Sequence, residues 1–351
     1  MSSTTTTTTT TAPKIHDGND IPIIDFSPWA QNNSEDEKTR VSKEIFEAFS
    51  TIGFVVLKNH GIAGDDHAGK GGVTERGFRT AKSFFQLDKE TKMQFKYLSA
   101  ESNRGYIAMG QEKLDGDLPD LKETFDIGWE GETEFANRWP VGTDISDEFQ
   151  SAMLEYFDAY DQLHLNILRA VARGMGLESD DYFTPLCNGN HQNLRLLHYP
   201  ECDRSAIAAG QKRGGIHTDY GTITLVAQNG VGGLVAQKLN GDWVNVPPIP
   251  GGIAVNVGEM LQRWSNDILR ATPHQILDED PLNQDAGKSE RVPERYSIAF
   301  FCNANKDTSL QCLPVCQSPE RPPRYEPMNA VEYITMRLSS TIAVMPPAAS
   351  V

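Results

Sequence analysis

Basic residues, cysteines and long apolar runs are all scarce in this chain. It has 32 Lys and Arg against 48 Asp and Glu over 351 residues, which gives a formal net charge of -16. Nucleic acids and anionic membranes attract basic surfaces, so this balance argues against both kinds of partner. No stretch approaches the roughly 20 apolar residues that span a bilayer. We therefore expect no nucleic-acid partner and no membrane association.

The five cysteines are scattered along the chain rather than paired in a pattern. An odd, scattered set is typical of free thiols in a reducing compartment and not of a disulfide framework. The N-terminus has neither the apolar segment of a signal peptide nor the arginines of a transit peptide. These features predict a cytoplasmic protein, and the Thr-rich composition of residues 1–19 predicts a disordered tail.

Two regions with different sequence patterns follow the tail. Residues 20–185 are mainly helical in pattern, and the longest amphipathic stretch covers 145–177. In residues 186–351, short runs of strand formers alternate with turn signals such as Asn-Gly and Pro-Gly, before a closing helix near 329–343. Many short strands at this spacing indicate a sandwich, barrel or jelly roll. The pattern predicts an α+β protein in which a helical N-terminal region packs on a β core.

The segment GGIHTDYG indicates a metal site beside a strand. His217 and Asp219 are two residues apart, so on an extended backbone their side chains point to the same side. Such a pair alone more often belongs to a hydrogen-bonded turn, but His274 offers a third ligand after a strand-rich stretch. Two histidines and one carboxylate leave open positions on an octahedral iron, whereas zinc prefers a closed tetrahedron or one open site.

Arg295 and Ser297 form a second constellation in the strand-like segment ERYSIAFF. Alternation along a strand places the guanidinium and the hydroxyl on one face. The pair suits a carboxylate, which accepts a charged fork from Arg and one more hydrogen bond from Ser. Alone, Arg295 is an ordinary residue at the start of a strand; beside a metal site, it indicates an acid that chelates the ion.

Together these motifs resemble the Fe(II)/2-oxoglutarate-dependent dioxygenases of the isopenicillin N synthase-like superfamily. The matching segments are IPIIDF, GFVVLKNHGI, RGYIAMG, DLKETFDIG, HTDYG, GDWVNVPPIPGGIAVNVGEMLQRWSND, ATPHQI and RYSIAFFCN, within roughly residues 20–345. The resemblance implies a distorted double-stranded β-helix (jelly-roll) core flanked by helices. It also implies that the protein uses Fe(II) as its cofactor and 2-oxoglutarate and O2 as co-substrates, with ascorbate as an accessory reductant. Succinate and CO2 would form while a small organic molecule, of the secondary-metabolite kind, is oxidised.

The resemblance also assigns roles to single residues. His217, Asp219 and His274 would bind the iron and form the catalytic centre. Arg295 and Ser297 would hold the distal carboxylate of 2-oxoglutarate. An aspartate in the ligand set argues against halogenation, because related halogenases need a small residue there to leave room for chloride.

A further match and three departures concern the surroundings of these residues. Tyr199 matches a tyrosine that helps to bind 2-oxoglutarate in the family, whereas Leu197 stands where many plant members have Asn. Gln275 replaces the Arg that commonly follows the second histidine. The interval between His274 and Arg295 is longer than usual, which predicts an extended loop.

Five residues are candidates for contact with the substrate. Tyr106, Phe125 and Phe301 lie in segments that line the pocket in family members, and Met336 and Leu338 could close it. Core packing is an equal alternative for each of them. The aromatic residues among them favour a mostly apolar substrate.

Two alternative functions remain open at this point. An oxidase of the isopenicillin N synthase kind would use the same ligands and O2 without 2-oxoglutarate, and Arg295 and Ser297 would then grip a carboxylate of the substrate itself. A catalytically inactive jelly roll acting as a scaffold would show a damaged triad, whereas this triad is intact. In each enzymatic case we expect a monomer or weak homo-oligomer that acts on a small molecule.

Overall fold

The computed structural model describes residues 15–16, 20–31, 34–62, 71–99, 101–115, 118–278 and 289–342. The helices are α1 (Ser27–Ala30), α2 (Glu35–Thr51), α3 (Val73–Phe85), α4 (Lys89–Met93), α5 (Ser146–Gly174), α6 (Thr184–Cys187), α7 (Glu259–Trp264) and α8 (Ala330–Ile342). The strands are β1 (Ile15–His16), β2 (Ile23–Asp25), β3 (Phe54–Lys58), β4 (Gly105–Ile107), β5 (Glu123–Gly128), β6 (Asn193–Tyr199), β7 (Cys202–Asp203), β8 (Gly214–His217), β9 (Ile223–Gln228), β10 (Leu234–Gln237), β11 (Trp243–Asn245), β12 (Ile253–Val257), β13 (His274–Ile276), β14 (Arg291–Val292) and β15 (Arg295–Cys302). Most of the predicted tail, and much of the loop predicted between His274 and Arg295, lie outside the described residues.

Two sheets form the β core. The larger has eight strands in the order β2-β3-β12-β9-β15-β6-β5-β4, and the smaller has five in the order β1-β11-β10-β13-β8. A buried apolar cluster joins them, with Val56 and Ala254 from the larger sheet and Ala236 and Val244 from the smaller one. The sheets therefore face each other, and helices flank them. This is the α+β jelly-roll architecture that the sequence predicts.

The N-terminal region contributes more to this core than its helical pattern predicts. Strands β2, β3, β4 and β5 all belong to the larger sheet. β3 pairs antiparallel with β12, and β5 pairs antiparallel with β6. Ile15–His16, which fall within the predicted tail, form β1 and pair parallel to β11. The helical region and the β core consequently share one sheet.

Helices α2, α3 and α5 pack on the outer face of the larger sheet. α5 runs from Ser146 to Gly174, close to the predicted 145–177, and its buried residues follow the predicted apolar stripe. Gly176, just beyond its end, has φ of 70°, a left-handed conformation that glycine adopts without strain. A Cβ at Gly174 would lie 2.4 Å from the carbonyl oxygen of Ser42, so this glycine lets α5 end directly against α2.

The active-site segment crosses from one sheet to the other. β8 lies at the edge of the smaller sheet beside β13, and β9 lies in the centre of the larger sheet between β12 and β15. Residues 218–222 join β8 to β9, so the HTDYG segment passes between the two sheets.

Two general expectations concern thiols and membranes. All five cysteines lie within the described residues, and none forms a disulfide. Across the described ranges, no helix has both the length and the apolar character needed to cross a membrane.

Candidate active site

Two neighbouring strands of the smaller sheet bring two histidines together. In the antiparallel pair of β8 and β13, His217 stands opposite His274, and their ring centroids are 4.3 Å apart. Asp219 follows in the turn that leaves β8, with Oδ1 3.8 Å from Nε2 of each histidine. The three ligand atoms lie within 4.8 Å of one another, and no other such group occurs among the described residues.

Backbone carbonyls orient both imidazoles. Nδ1 of His217 lies 2.9 Å from the carbonyl oxygen of Gly215, and Nδ1 of His274 lies 3.0 Å from that of Thr272. Each Nδ1–H donates to its carbonyl, which leaves the lone pair of Nε2 directed to the shared space. Burial, and then the neighbouring His274, lower the pKa of His217 to about 4. The ring is therefore neutral near pH 7, which is the form that binds a metal cation.

Asn256, on β12, holds the carboxylate of Asp219. Its Nδ2 donates to Oδ2 at 2.7 Å, and its side chain is buried. Burial opposes the charge of Asp219, but His274, His217 and Asn256 outweigh it and keep the pKa of this carboxyl below its usual value. Two imidazoles and one carboxylate on one side of an ion are the donor set that suits Fe(II) with open positions. These residues therefore fit the iron that the sequence predicts.

Sequence reasoning did not assign a role to Asn256. A polar amide interrupts the apolar strand IAVNV, and all five residues of β12 are buried. A buried amide must find hydrogen-bond partners, so this interruption was the available signal.

Arg295, Ser297 and Tyr199 also come together. Arg295 on β15 pairs with Tyr199 on β6, and its Cζ lies 5.0 Å from the centre of the tyrosine ring. Its Nη1 donates to Oγ of Ser297 at 3.0 Å, and its Nη2 donates to Gln228 at 3.1 Å. Arg295 is fully buried, and this burial lowers its pKa, because no carboxylate among the described residues compensates its charge. The group suits an acid that enters from outside the protein.

A second buried arginine, Arg213, was missed. Its Cζ lies 5.4 Å from the centre of the Tyr199 ring, and its Nη2 donates to the carbonyl oxygens of Tyr199, Pro200 and Pro293. Burial, and then Arg295, lower its pKa to about 10. The only sequence signal for Arg213 was its position as a basic residue directly before the segment GGIHTD.

A cavity of about 200 Å³ lies beside the three candidate metal ligands. His217, Asp219 and Tyr199 contribute to its wall, as do Phe301 and Leu338. Those last two residues therefore lie where the sequence predicts substrate contact. Met336 is exposed on α8 and does not line this cavity.

Tyr106 and Phe125 do not line the cavity, which corrects the prediction for both. They pair with each other across β4 and β5, and Phe125 also pairs with Leu196 on β6. Their rings contact Phe84 of α3, so they belong to the helix-facing core. Because strand side chains alternate, residues one position away on these strands line the cavity: Ile107 follows Tyr106, and Arg195 precedes Leu196, the partner of Phe125.

The cavity wall is more polar than the predicted aromatic residues indicated. Arg195 forms a fork with Asp126 at 2.8 and 2.9 Å and reaches Glu112 at 2.9 Å. Lys122 lies 2.6 Å from Asp120 and 3.4 Å from Glu112. Burial opposes the charge of Glu112, but Arg195 and Lys122 outweigh it and lower its pKa to about 2. A network of paired charges therefore forms part of the wall of the same cavity as His217 and Asp219.

A second, larger cavity of about 350 Å³ adjoins the first. The residues common to both walls are Asn103, Asn193, Asn303, Ile334 and Leu338. Three amides and two side chains of α8 thus form the wall common to both cavities; the cavity beside the candidate ligands is termed the inner compartment and the second cavity the outer compartment.

Two family models match the chain. Residues 21–142 match the N-terminal region of a non-haem dioxygenase in morphine synthesis, and residues 190–304 match the 2OG-Fe(II) oxygenase superfamily. The second match contains all three proposed metal ligands as well as Arg295 and Ser297.

Two similar fungal proteins and one similar fungal structure illustrate the relationship. The proline hydroxylase buaE of Petromyces alliaceus is 33% identical, over 92% of this chain and 99% of its own length. The 2-oxoglutarate-Fe(II) type oxidoreductase ppzD of Metarhizium rileyi is 32% identical, over 85% of both chains. The crystal structure of full-length Neurospora crassa T7H with alpha-KG and thymine has a TM-score of 0.82 and 37% identity, and covers 92% of this chain and 97% of that one.

Proposed function

The chain belongs to the Fe(II)/2-oxoglutarate-dependent dioxygenases, and from that membership we propose how its own residues carry the reaction. It is a non-haem iron oxygenase that couples oxidative decarboxylation of 2-oxoglutarate, to succinate and CO2, to oxidation of a small organic substrate by O2. None of the relatives named above supports the alternative function, an oxidase that works without 2-oxoglutarate. The intact ligand set likewise gives no support to an inactive scaffold.

His217, Asp219 and His274 hold the Fe(II) in this proposal, and the convergence of their ligand atoms carries it. Bound iron supplies the activation of O2 that oxidises both 2-oxoglutarate and the substrate. The chain keeps Nε2 of each histidine available by engaging Nδ1 with a backbone carbonyl. Asn256 occupies Oδ2 of Asp219 and leaves Oδ1 for the metal.

Arg295, Ser297 and Tyr199 receive the distal carboxylate of 2-oxoglutarate. Arg295 is buried, and no carboxylate in the described part of the chain pairs with it, so an incoming carboxylate would compensate its charge. Attraction between such charges is stronger in a buried site than in water. Anchoring one end of the acid also orients its keto end, which lowers the entropy cost of the reaction.

We further propose that the substrate is compact and polar rather than mostly apolar. The inner compartment of about 200 Å³ combines the ring of Phe301 with the charged side chains of Arg195, Lys122 and Glu112. These groups offer a face for a planar ring together with donors and acceptors for ring substituents. Thymine, bound in the Neurospora crassa T7H structure, and proline, named in the buaE hydroxylase, are molecules of this class. The outer compartment would take any substituent too large for the inner one.

One anaerobic titration tests the iron and 2-oxoglutarate assignments. Fe(II) and then 2-oxoglutarate are added to the apo-protein, and the weak visible charge-transfer band of the chelate should appear. Iron binding without this band would return the oxidase reading to first place. Substrate class is then tested by succinate release in air with thymine, L-proline and an apolar compound of similar size, such as limonene. Stimulation by limonene alone would contradict the polar assignment.

The remaining proposals concern organisation and location. We assign 20–185 to a mainly helical N-terminal region and 186–351 to the catalytic core, a division that the separate family matches support. A cytoplasmic location is supported by five free cysteines, and a monomer or weak homo-oligomer without nucleic-acid partners is supported by the net charge of -16. Light scattering of the purified protein and microscopy of a tagged chain test these points.

A further inference from the structure

A single buried carboxylate joins the ligand segment to the last helix. Glu259 is the first residue of α7, and its Oε1 accepts a hydrogen bond from Oγ1 of Thr218 at 2.5 Å. Its Oε2 accepts from the hydroxyl of Tyr333 and from Nη1 of Arg337, the latter at 2.6 Å. Thr218 lies between two metal ligands, whereas Tyr333 and Arg337 belong to α8. Glu259 therefore contacts both the ligand segment and α8 through one functional group.

The same ligand segment rests on the first turn of α7. The backbone N–H of Glu259 donates to the carbonyl oxygen of Asp219 at 2.8 Å, and that of Met260 donates to Gly221 at 2.9 Å. The N–H of Gly258 donates to Thr222 at 2.8 Å. The backbone around Glu259 is therefore fixed to the ligand segment. A displacement of the Glu259 side chain would consequently also displace that segment.

α8 also forms a wall of both substrate compartments. Ile334 and Leu338 line the inner and the outer cavity. Arg337 lies between them on the helix, and its Cζ is 4.5 Å from the centre of the Tyr220 ring, which lines the inner cavity. The position of α8 thus sets the shape of the cavity and, through Arg337, contacts the residue that follows Asp219.

We propose that Glu259 is a positioning residue that couples the docking of α8 over the substrate cavity to the geometry of the iron-ligand segment. The inference rests on the proposed function, because it takes His217 and Asp219 as iron ligands. Coupling between two sites is reciprocal in free energy. Metal and 2-oxoglutarate at the ligands should therefore tighten α8, and loosening α8 should weaken the metal–2-oxoglutarate complex.

Glu259→Gln is the direct variant. Glutamine has the shape of glutamate, but it offers one acceptor oxygen and an NH2 group that only donates. Its oxygen can serve Thr218 or the α8 residues, and the NH2 group then faces donors on the other side. The link is broken with little change in volume.

Amide hydrogen exchange measures the coupling from the ligand segment to α8. In the natural protein, Mn(II) with 2-oxoglutarate under anaerobic conditions should slow exchange in residues 215–221 and also in 330–338. In Glu259→Gln the protection of 330–338 should disappear. Equal protection of α8 in both proteins would overturn the coupling. Protection of neither segment in the natural protein would instead overturn the assignment of the metal site, so the two failures are distinguishable.

Arg337→Met tests the link from the α8 side and keeps the proposal testable if Glu259→Gln does not fold. The variant leaves every proposed metal and 2-oxoglutarate ligand in place. We expect the 2-oxoglutarate concentration that half-saturates the anaerobic Fe(II) charge-transfer band to rise severalfold. Arg324→Met is the matched control, because Arg324 pairs with Asp267 at 2.8 Å on an exposed part of the same region. Identical titrations for the two arginine variants, at equal thermal stability, would show that α8 docks without acting on the iron site.

Discussion

The side-chain amide of Asn256 donates to Oδ2 of Asp219 at 2.7 Å, from the middle of a strand in the larger sheet. Asp219 itself follows a strand of the smaller sheet, so this bond fixes the carboxylate of this proposed metal ligand between the two layers. We expect Asn256→Ala to weaken Fe(II) binding by about 10- to 100-fold, the usual result of removing a hydrogen-bond partner of a metal ligand. Anaerobic equilibrium dialysis with Fe(II) measures the change.

Asn245 supplies a matched control for that variant. It is an equally buried amide on β11, and neither its Nδ2 nor its Oδ1 has a hydrogen-bond partner within the described part of the chain. Asn245→Ala should leave the iron affinity unchanged. Equal losses in the two variants would point to general loosening of the β core instead of the lost bond to Asp219.

Substitution of the proposed ligands themselves should affect Fe(II) binding more strongly than Asn256→Ala. His217→Ala or Asp219→Ala should abolish binding of Fe(II) at stoichiometric metal, because two remaining ligands rarely hold this ion in a protein. His191→Ala serves as the comparison, since this histidine lines the outer cavity away from the ligand group. Tight stoichiometric binding by either ligand variant, measured by dialysis and metal analysis, would disprove the assignment.

The ligand set could be predicted because its signal is largely local. His217 and Asp219 lie within three consecutive residues, and His274 follows a strand-rich stretch as the third candidate. The pairing of β8 with β13, which places His217 opposite His274, could not be predicted. Both strands are short, and neither shows the alternating apolar pattern of a longer strand. Their pairing is a long-range contact that only the complete fold specifies.

Arg295→Ala should raise the concentration of 2-oxoglutarate that half-saturates turnover by at least tenfold. A hydrogen bond to a charged group contributes about 1.5–3 kcal/mol, and about 1.4 kcal/mol corresponds to a factor of ten. Arg295→Lys keeps the charge but loses the fork, so it should give an intermediate value. The measurement is succinate release against 2-oxoglutarate concentration.

An exposed arginine controls for the effect of removing a charge. Arg40 pairs with Glu44 at 2.7 Å on the surface of α2, and both side chains are exposed. Arg40→Ala should leave the 2-oxoglutarate dependence unchanged. If Arg295→Ala also left it unchanged, another group, with Arg213 as the first candidate, would be the anchor.

Acid stability should depend on Glu112. Arg195 and Lys122 outweigh the effect of burial and lower its pKa from 4.5 to about 2, so folding favours the ionised form. This contribution is fully present above pH 4.5 and is lost as the pH falls towards 2; a shift of this size corresponds to roughly 3 kcal/mol. Urea unfolding at a series of pH values should show a steeper loss below pH 4.5 in the natural protein than in Glu112→Gln. Glu44→Gln, at the surface of α2, should retain the natural slope.

The substrate side chains were harder to predict than the iron ligands. Phe301 and Leu338 line the cavity, whereas Tyr106 and Phe125 lie on the helix-facing side of β4 and β5. Both strands are buried on both faces, but the sequence of β5, ETFDIG, does alternate, with Phe125 and Ile127 on an apolar side and Thr124 and Asp126 on the other. This alternation was the available signal that Phe125 belongs to the apolar core. A shift of one residue exchanges the faces of a strand. The charged residue Arg195, which does line the cavity, is the kind of buried polar group that marks a functional face.

Phe301 and Phe125 form a matched pair that tests this distinction of faces. Phe125→Ala removes a fully buried ring from the helix-facing core and should lower the free energy of unfolding by about 3–5 kcal/mol. Phe301→Ala opens the cavity wall, where we expect the loss of a stacking contact worth about 0.5–1.5 kcal/mol. The substrate concentration for half-maximal succinate release should therefore rise severalfold in Phe301→Ala, with a smaller loss of stability than in Phe125→Ala. Urea unfolding and succinate release with the active compound of the thymine and L-proline panel measure both effects. If Phe125→Ala raised that concentration as much as Phe301→Ala at temperatures where both proteins are folded, the substrate would lie on the other face of β5.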